Sequence, residues 1–416
     1  MNNGFLKLAW LAALVGGLGM AGIAGCGGSS DPLASGGDSA VGGDPSATSP
    51  TPQTGAVPAN PPTVNSPLLT QLDQSIVEFG NEHAEVASLI AQVEAPARSL
   101  LWTGANGVTD RDSGVPVNGE TAFRIASLTK TFVAAAIHRL AELGQLTVDD
   151  PIAPYLTLAS VALLRDHGYV PEAITLRHLL AHTSGVADIA SAEYDDLVLG
   201  DPELQWTRAQ ILAFAFERST RTGEPGERFS YSNTGYNLLG EIIETRTGQS
   251  LGAALRELIN YERIGLASTW LEASEPAPPS LRIAHAYDER GIDLQRINAS
   301  SDAWGGGGLV STVGDLNRFI RALLEGRIVS AASLASMQTG AGPGRGSGLF
   351  NLPLGGRSCW GHEGALGTAM YYCPDDQLSL VDTINFAHLK SDGSTRPTLR
   401  SAVFASRLLG IVTNGN

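Results

Sequence analysis

The tetrad Ser127-Leu128-Thr129-Lys130 sets a hydroxyl three residues ahead of an amine, just before the apolar run Phe132, Val133, Ala136, Ile137 and Leu140. Residues three apart share one face of a helix, so the Ser127 hydroxyl and the Lys130 amine are spaced to touch. A serine beside a base is a nucleophile for acyl transfer. Lysine serves as that base once its pKa lies well below the reference of about 10.4, and burial and the positive end of a helix dipole both push it down. Lysine is a pointed choice here. The chain of 416 residues has three lysines, Lys7, Lys130 and Lys390, and otherwise carries its positive charge on arginine, which stays protonated. Taken alone, the tetrad also fits a solvated helix start.

Two further groups could join that chemistry. Phe229-Ser230-Tyr231-Ser232-Asn233 follows the turn Gly223-Glu224-Pro225-Gly226. On extended backbone Tyr231 and Asn233 point the same way. A phenol can pass a proton to a leaving group, and an amide can hold a carbonyl. The same residues also read as a helix cap, Ser232 or Asn233, beside a half-buried tyrosine. The other group is Trp360-Gly361-His362-Glu363-Gly364-Ala365-Leu366-Gly367. Its glycines allow a ligand or another backbone to approach closely. His362 offers a donor or a positive charge, unless it is a structural histidine. His178 and His182 are four apart, as two metal ligands would be, but no third ligand accompanies them. No metal and no cofactor is therefore assigned.

Elements must position these groups. Helical spacing at Leu69, Leu72, Ile76 and Val77 predicts an opening helix over Leu69 to Phe79. Strands are expected at Val86 to Val93 and Arg98 to Thr103, joined by a turn at Ala95-Pro96. From Thr131 to about Leu143-Gly144 the pattern is helical. Residues 150 to 268 read as helices and loops, with the acidic run Glu193 to Asp201 taken as a solvated loop or rim. Val310-Ser311-Thr312 precedes an amphipathic helix over Asp315 to Leu324. A hairpin follows, with strands at Trp360 to Gly364 and Ala369 to Tyr372, then a strand at Leu378 to Asn385 and a closing helix over Thr398 to Leu409. Strands near both ends with helices between imply an α/β chain of the α+β kind, whose sheet joins distant segments around an inserted helical region. Cys359 and Cys373 fall opposite each other in a hairpin centred near Leu366, which predicts a disulfide; two buried free thiols are the alternative.

The composition, with 43% hydrophobic and 17% charged residues, is that of a globular protein, and a net charge of −15 argues against a nucleic-acid partner. At the N-terminus Lys7 and the apolar stretch Leu8 to Ile23 read as a targeting segment, residues 1–25. Ile23-Ala24-Gly25-Cys26 resembles a bacterial lipobox, in which the cysteine is lipidated; an ordinary secretory signal with an incidental cysteine is the alternative. Both imply export, and the first attaches the protein to a membrane of the cell envelope through Cys26. Residues 26–66 are rich in Gly, Ser, Pro, Ala and Thr and cannot bury enough surface to fold, so they read as a tether with a reach of roughly 35 Å. The folded domain is expected over residues 67–416.

Taken together, Ser-x-x-Lys, then Tyr-x-Asn about a hundred residues on, then His-x-Gly on a late strand is the motif order of the serine β-lactamases and penicillin-binding proteins. The chain resembles the class C β-lactamase and DD-carboxypeptidase branch of that superfamily from about Leu69 to Leu409. The stretches Ile174 to Gly185, containing Leu179-Leu180-Ala181-His182-Thr183-Ser184-Gly185, and Gly306-Gly307-Gly308-Leu309-Val310-Ser311-Thr312 are similar to segments of that branch. The resemblance implies a β-lactamase/transpeptidase-like fold: an antiparallel sheet flanked by the terminal helices, with the inserted helical region. It also implies roles: Ser127 as nucleophile, Lys130 as base, Tyr231 as proton relay and Asn233 as holder of the substrate amide. His362 would stand where lysine stands in the Lys-Thr-Gly version of the third motif, and the N–H groups of Ser127 and Ala365 would form the oxyanion hole. Glu363, Gly364 and Ala365 would line the substrate site. Glu363 departs from the Thr or Ser found there, and would repel a substrate carboxylate if it points inward rather than away. The expected activity is acyl-enzyme hydrolysis of a small-molecule or peptide substrate, foremost as a D-Ala-D-Ala carboxypeptidase, with esterase or β-lactamase as alternatives. A non-catalytic penicillin-binding sensor is the alternative from another class.

Overall fold

The computed structural model describes residues 66–387 and 401–414. The targeting segment, Cys26 and all but the last residue of the tether lie outside the described residues, as do 388–400 and 415–416 of the expected domain. Ser66 already belongs to the first helix. No helix among the described residues is long and apolar enough to cross a membrane.

The chain opens with α1 (Ser66–Glu82), then the hairpin β1 (Ser88–Ala95) and β2 (Leu100–Gly107). A short strand β3 (Ala122–Arg124) leads through a one-turn 3-10 segment, Ala126–Leu128, into α2 (Thr129–Glu142). The insertion carries α3 (Leu158–Asp166), α4 (Leu176–Leu180), α5 (Ala192–Gly200), α6 (Arg208–Arg218), α7 (Asn233–Thr247), α8 (Leu251–Ile259) and α9 (Tyr261–Ile264). Short strands β4 (Trp270–Leu271), β5 (Ile283–Ala284), β6 (Tyr287–Asp288) and β7 (Leu309–Ser311) follow, then α10 (Val313–Leu324) and α11 (Ala331–Met337). The chain closes with β8 (Phe350–Leu354), β9 (Arg357–Gly364), β10 (Thr368–Cys373), β11 (Leu378–Thr383), β12 (Phe386–Ala387) and α12 (Ser401–Asn414).

Six strands form one antiparallel sheet in the order β2-β1-β11-β10-β9-β8, so its two halves come from opposite ends of the chain. Alternation along the strands gives the sheet two apolar faces. Leu89, Ala91, Val93, Tyr371 and Leu380 pack with α1 and α12 through Leu72, Ile76, Phe79, Phe404 and Leu408. Ile90, Met370, Tyr372 and Val381 belong to the larger core with α2, α10 and the insertion. Both sides of the sheet are therefore covered. A four-stranded sheet, order β4-β7-β3-β5, stands beside the start of α2. Apolar residues and glycines at Gly305 to Gly308 bring the β7 segment close to α7; a Cβ on Gly305 would lie 2.4 Å from the Tyr236 carbonyl.

Candidate active site

Ser127 sits in the 3-10 turn just before α2 rather than inside the helix, and it is half-buried. Three anchors fix that turn. The Ile125 N–H donates to the Leu309 carbonyl of β7 at 2.9 Å, the Thr368 hydroxyl of β10 donates to the Ile125 carbonyl at 3.0 Å, and the Leu309 N–H donates to the Thr129 hydroxyl at 3.3 Å. Ala126 has φ 48°, a left-handed conformation that a side chain disfavours and that surrounding contacts must impose. The positive end of the α2 dipole lies directly behind the serine.

Lys130 is fully buried in the first turn of α2. Its Nζ donates to the Ser127 hydroxyl at 3.1 Å, to Asn233 Oδ1 at 2.7 Å and to the Gly306 carbonyl. These partners come from three chain segments, each brought in by a different element. Asn233 opens α7, capped by the Ser232 hydroxyl accepting from the Gly235 N–H. Its Nδ2 donates to Asp188, whose Oδ1 also accepts the Asn233 backbone N–H at 2.8 Å. The Asn233 amide is thus spent on Lys130 and Asp188, although it still borders the cavity. Tyr231, half-buried, lies with its ring 5.0 Å from the Lys130 amine. Serine, lysine and tyrosine therefore converge.

The third motif needs correction on three residues. His362 was expected to bring a donor or a positive charge. It is buried, and burial together with the Lys130 charge depresses its pKa to about 3, so the ring is neutral. Its Nδ1–H is directed to the Glu363 carbonyl at 2.7 Å, which leaves Nε2 as an acceptor. Glu363 was expected to line the substrate site. Strand alternation turns it to the opposite face of the sheet, where its carboxylate accepts from the Tyr371 hydroxyl at 2.9 Å. Gly364 does not border the cavity; its lack of a side chain lets β9 press on the Ser127 turn, since a Cβ there would lie 2.8 Å from the Ile125 carbonyl and 3.1 Å from Ala126 Cβ. Ala365, on the β9–β10 turn, faces the same cavity as Ser127. Behind the hairpin Cys359 and Cys373 are bonded to each other.

Ser127, Tyr231, Asn233 and Ala365 open onto a cavity of about 350 Å³. Ile189, Val198, Leu294, Ile297 and Leu366 give it a largely apolar wall. Arg124 is the only cation among its lining residues, and it is engaged: Nε and Nη2 donate to the Glu272 carboxylate at 2.6 and 3.2 Å, and Nη1 to the Leu294 carbonyl at 2.9 Å. Asp302, exposed, adds an acidic group to the cavity wall. No group of three or more His, Cys, Asp or Glu among the described residues is arranged to hold a metal ion.

The family model described as Beta-lactamase matches residues 95–404, which span strands β2 to β12, the serine turn and both later motifs. The chain belongs to the Beta-lactamase family. It is similar to Esterase EstB of Burkholderia gladioli, 27% identical over 371 residues, covering 76% of this chain and 91% of the esterase. It is also similar to Penicillin-binding protein 4 of Amycolatopsis lactamdurans, 28% identical over 319 residues, covering 70% of this chain and 77% of that protein. Among solved structures, the D-amino acid amidase of Ochrobactrum anthropi SV3 complexed with D-phenylalanine superposes with a TM-score of 0.69 at 25% identity, covering 84% of this chain and 100% of the amidase. The chain is accordingly a serine hydrolase of the Beta-lactamase family, with a β-lactamase/transpeptidase fold.

Within this family frame, several site residues gave no local signal. Asp188 and Asn237 hold Asn233 and the Gly306 N–H, the latter at 3.1 Å, and nothing in their neighbours marks them. Arg124 and Glu272 are 148 residues apart. The acidic run Glu193 to Asp201, expected as a solvated loop or rim, is mostly helix α5, and its Tyr194, Asp195 and Val198 form one wall of the cavity. There the signal was available: Tyr194 and Val198 are four apart, an apolar stripe within acidic neighbours.

Proposed function

We propose that the protein hydrolyses esters or amides that have an apolar acyl group and no free carboxylate, through an acyl-enzyme on Ser127. Lys130, in its neutral amine form, takes the Ser127 proton as the hydroxyl oxygen attacks the carbonyl carbon. The N–H groups of Ser127 and Ala365 stabilise the oxyanion that forms. Tyr231 hands its phenolic proton to the departing alkoxide or amine, the phenolate then takes a proton from the water that attacks the acyl carbon, and Lys130 returns its proton to Ser127 as the acid leaves. Proton and bond counts close: the leaving group departs protonated, water supplies the hydroxyl of the acid, and Ser127 recovers its proton.

One observation carries the choice of substrate. Arg124, the only cation lining the cavity among the described residues, is already paired with Glu272, and the rest of the wall is apolar, acidic or neutral polar. A substrate carboxylate would lose its hydration without gaining a free cation to pair with. The esterase relative supports this reading. A D-Ala-D-Ala carboxypeptidase is the second reading, supported by the motif order and by the penicillin-binding relative. It requires Arg124 to leave Glu272. Substrates matched in acyl group, with and without a free carboxylate, decide between them. We expect kcat/KM at least about tenfold higher for the neutral member, a difference of about 1.4 kcal/mol; the reverse order would overturn the proposal. Turnover of p-nitrophenyl esters, present in the wild type and lost in Ser127→Ala, separates an enzyme from a fold retained as a sensor.

We also propose that the protein is exported and held to an envelope membrane by lipid on Cys26. The support is the apolar stretch Leu8 to Ile23 followed by Ile23-Ala24-Gly25-Cys26. Metabolic labelling with an alkyne fatty acid should mark the wild type and not Cys26→Ala; equal labelling would rule this out.

A further inference from the structure

His178 and His182, spaced like metal ligands, serve separate purposes. The His178 ring accepts the Thr175 N–H at 3.1 Å and closes the cap of α4. His182, 1% exposed, stands just beyond that helix with φ 56°, a left-handed conformation unusual for a residue with a side chain. It holds the Tyr231 segment on three counts. Its backbone carbonyl accepts the Ser230 N–H at 2.8 Å. Its ring Nδ1 accepts the Ser232 N–H at 3.1 Å. Its ring stacks on the Tyr231 ring, centroids 4.3 Å apart and planes 23° apart. The residues on both sides of Tyr231 and the tyrosine ring itself thus rest on one histidine. Because an amide N–H only donates, Nδ1 must carry a lone pair, which fixes the neutral ring with its proton on Nε2.

We infer that His182 is a positioning residue for Tyr231, holding the phenol where Lys130 and Ser127 meet. This rests on the reading of Tyr231 as proton relay to the leaving group. The titratable groups facing the ring come from every side: Lys130 of α2, His362 of β9, Tyr236 of α7 and Tyr231 itself. Burial foremost, and then the Lys130 charge, hold the imidazole far below its usual range, so it keeps its lone pair for Ser232.

The test compares Tyr231→Phe, His182→Asn and the double variant on two esters of one acyl group, with ethanol and p-nitrophenol as leaving groups. Asparagine keeps a short acceptor and tolerates left-handed backbone, but lacks the ring. Ethoxide needs a proton to depart and p-nitrophenolate does not, so loss of the relay is felt mainly on the ethyl ester. We expect Tyr231→Phe to lose about tenfold more kcat/KM on the ethyl ester than on the p-nitrophenyl ester. His182→Asn should show the same split, and the double variant should fall within about twofold of Tyr231→Phe, because two residues acting as one unit are not additive. A uniform loss on both esters, or additive losses, would overturn the inference while leaving the relay intact. No split in Tyr231→Phe would instead overturn the relay. Should His182→Asn fail to fold, 15N-histidine NMR of the wild type decides: His182 is expected neutral with its proton on Nε2 from pH 5 to 8, and a cationic or Nδ1–H ring refutes the inference.

Discussion

Gly364→Ala should cripple catalysis while leaving the fold intact. Gly364 ends strand β9 beside the serine turn. An added Cβ would meet Thr368 Oγ1 at 2.2 Å, the Ile125 carbonyl at 2.8 Å and Ala126 Cβ at 3.1 Å. The threonine hydroxyl could rotate away only by giving up its bond to the Ile125 carbonyl, one of the anchors of the turn. The carbonyl is backbone and must itself retreat. Ordinary contact begins near 3.4 Å, so the shortfall at that atom is about 0.6 Å. Ser127 and Ala365, which would both donate to the oxyanion, lie on the two sides of this contact. Separating them by that amount takes at least one donor out of the short range such hydrogen bonds need, at a cost on the order of 10²-fold in kcat, or about 2.7 kcal/mol of transition-state stabilisation. Overpacking should cost stability of about 1–3 kcal/mol. The assay is p-nitrophenyl ester hydrolysis normalised by a fluorophosphonate active-site titration, beside a urea melt. Wild-type kcat in a folded Gly364→Ala enzyme would refute the argument that β9 and the serine turn are in essential contact.

Lys130→Arg keeps the charge but exchanges a compact amine, buried among three acceptors, for a larger guanidinium that does not give up its proton; hydrolysis should fall on the order of 10³-fold, measured by single-turnover acylation. Glu363→Thr removes the acceptor of the Tyr371 hydroxyl and should lower stability by about 1–3 kcal/mol in urea, with no change in preference between carboxylate-bearing and neutral substrates; a selective gain on the former would return Glu363 to the site. His138, 3% exposed on α2, has its pKa lowered from 6.5 to about 4, by burial and then by the Arg177 charge. A histidine kept neutral in the fold stabilises it fully above pH 6.5, and that contribution fades as pH falls toward 4 because the unfolded chain takes up the proton. Between pH 7 and 5 the wild type should therefore lose about 2 kcal/mol more than His138→Leu. Parallel pH profiles in urea melts would contradict it.

Each motif taken alone also read as ordinary structure. A serine three residues before a lysine, a tyrosine on a turn and a histidine among glycines became legible through their order along the chain, which resembles that of a known family. The hairpin around Leu366 was equally plain, and Cys359 and Cys373 lie across it. Orientation across the sheet was not plain. Whether Glu363 faces the serine or the terminal helices depends on strand register, and a shift of one residue inverts the answer. Nor does sequence reveal which partner a polar group will find. Asn233 was read as a ligand for substrate, yet its Oδ1 meets Lys130, 103 residues away in the chain.

By itself, then, the sequence determined the kind of chemistry: a lysine where arginine is the rule, and a hydroxyl within one helical turn of it. Only the tertiary structure decided what that chemistry can be applied to. His362 loses its charge because the fold buries it beside Lys130. Arg124 is paired because strands β3 and β4 bring Glu272 against it. Reactivity is a property of residue types at close spacing, whereas the field inside a cavity is summed over groups that only folding assembles.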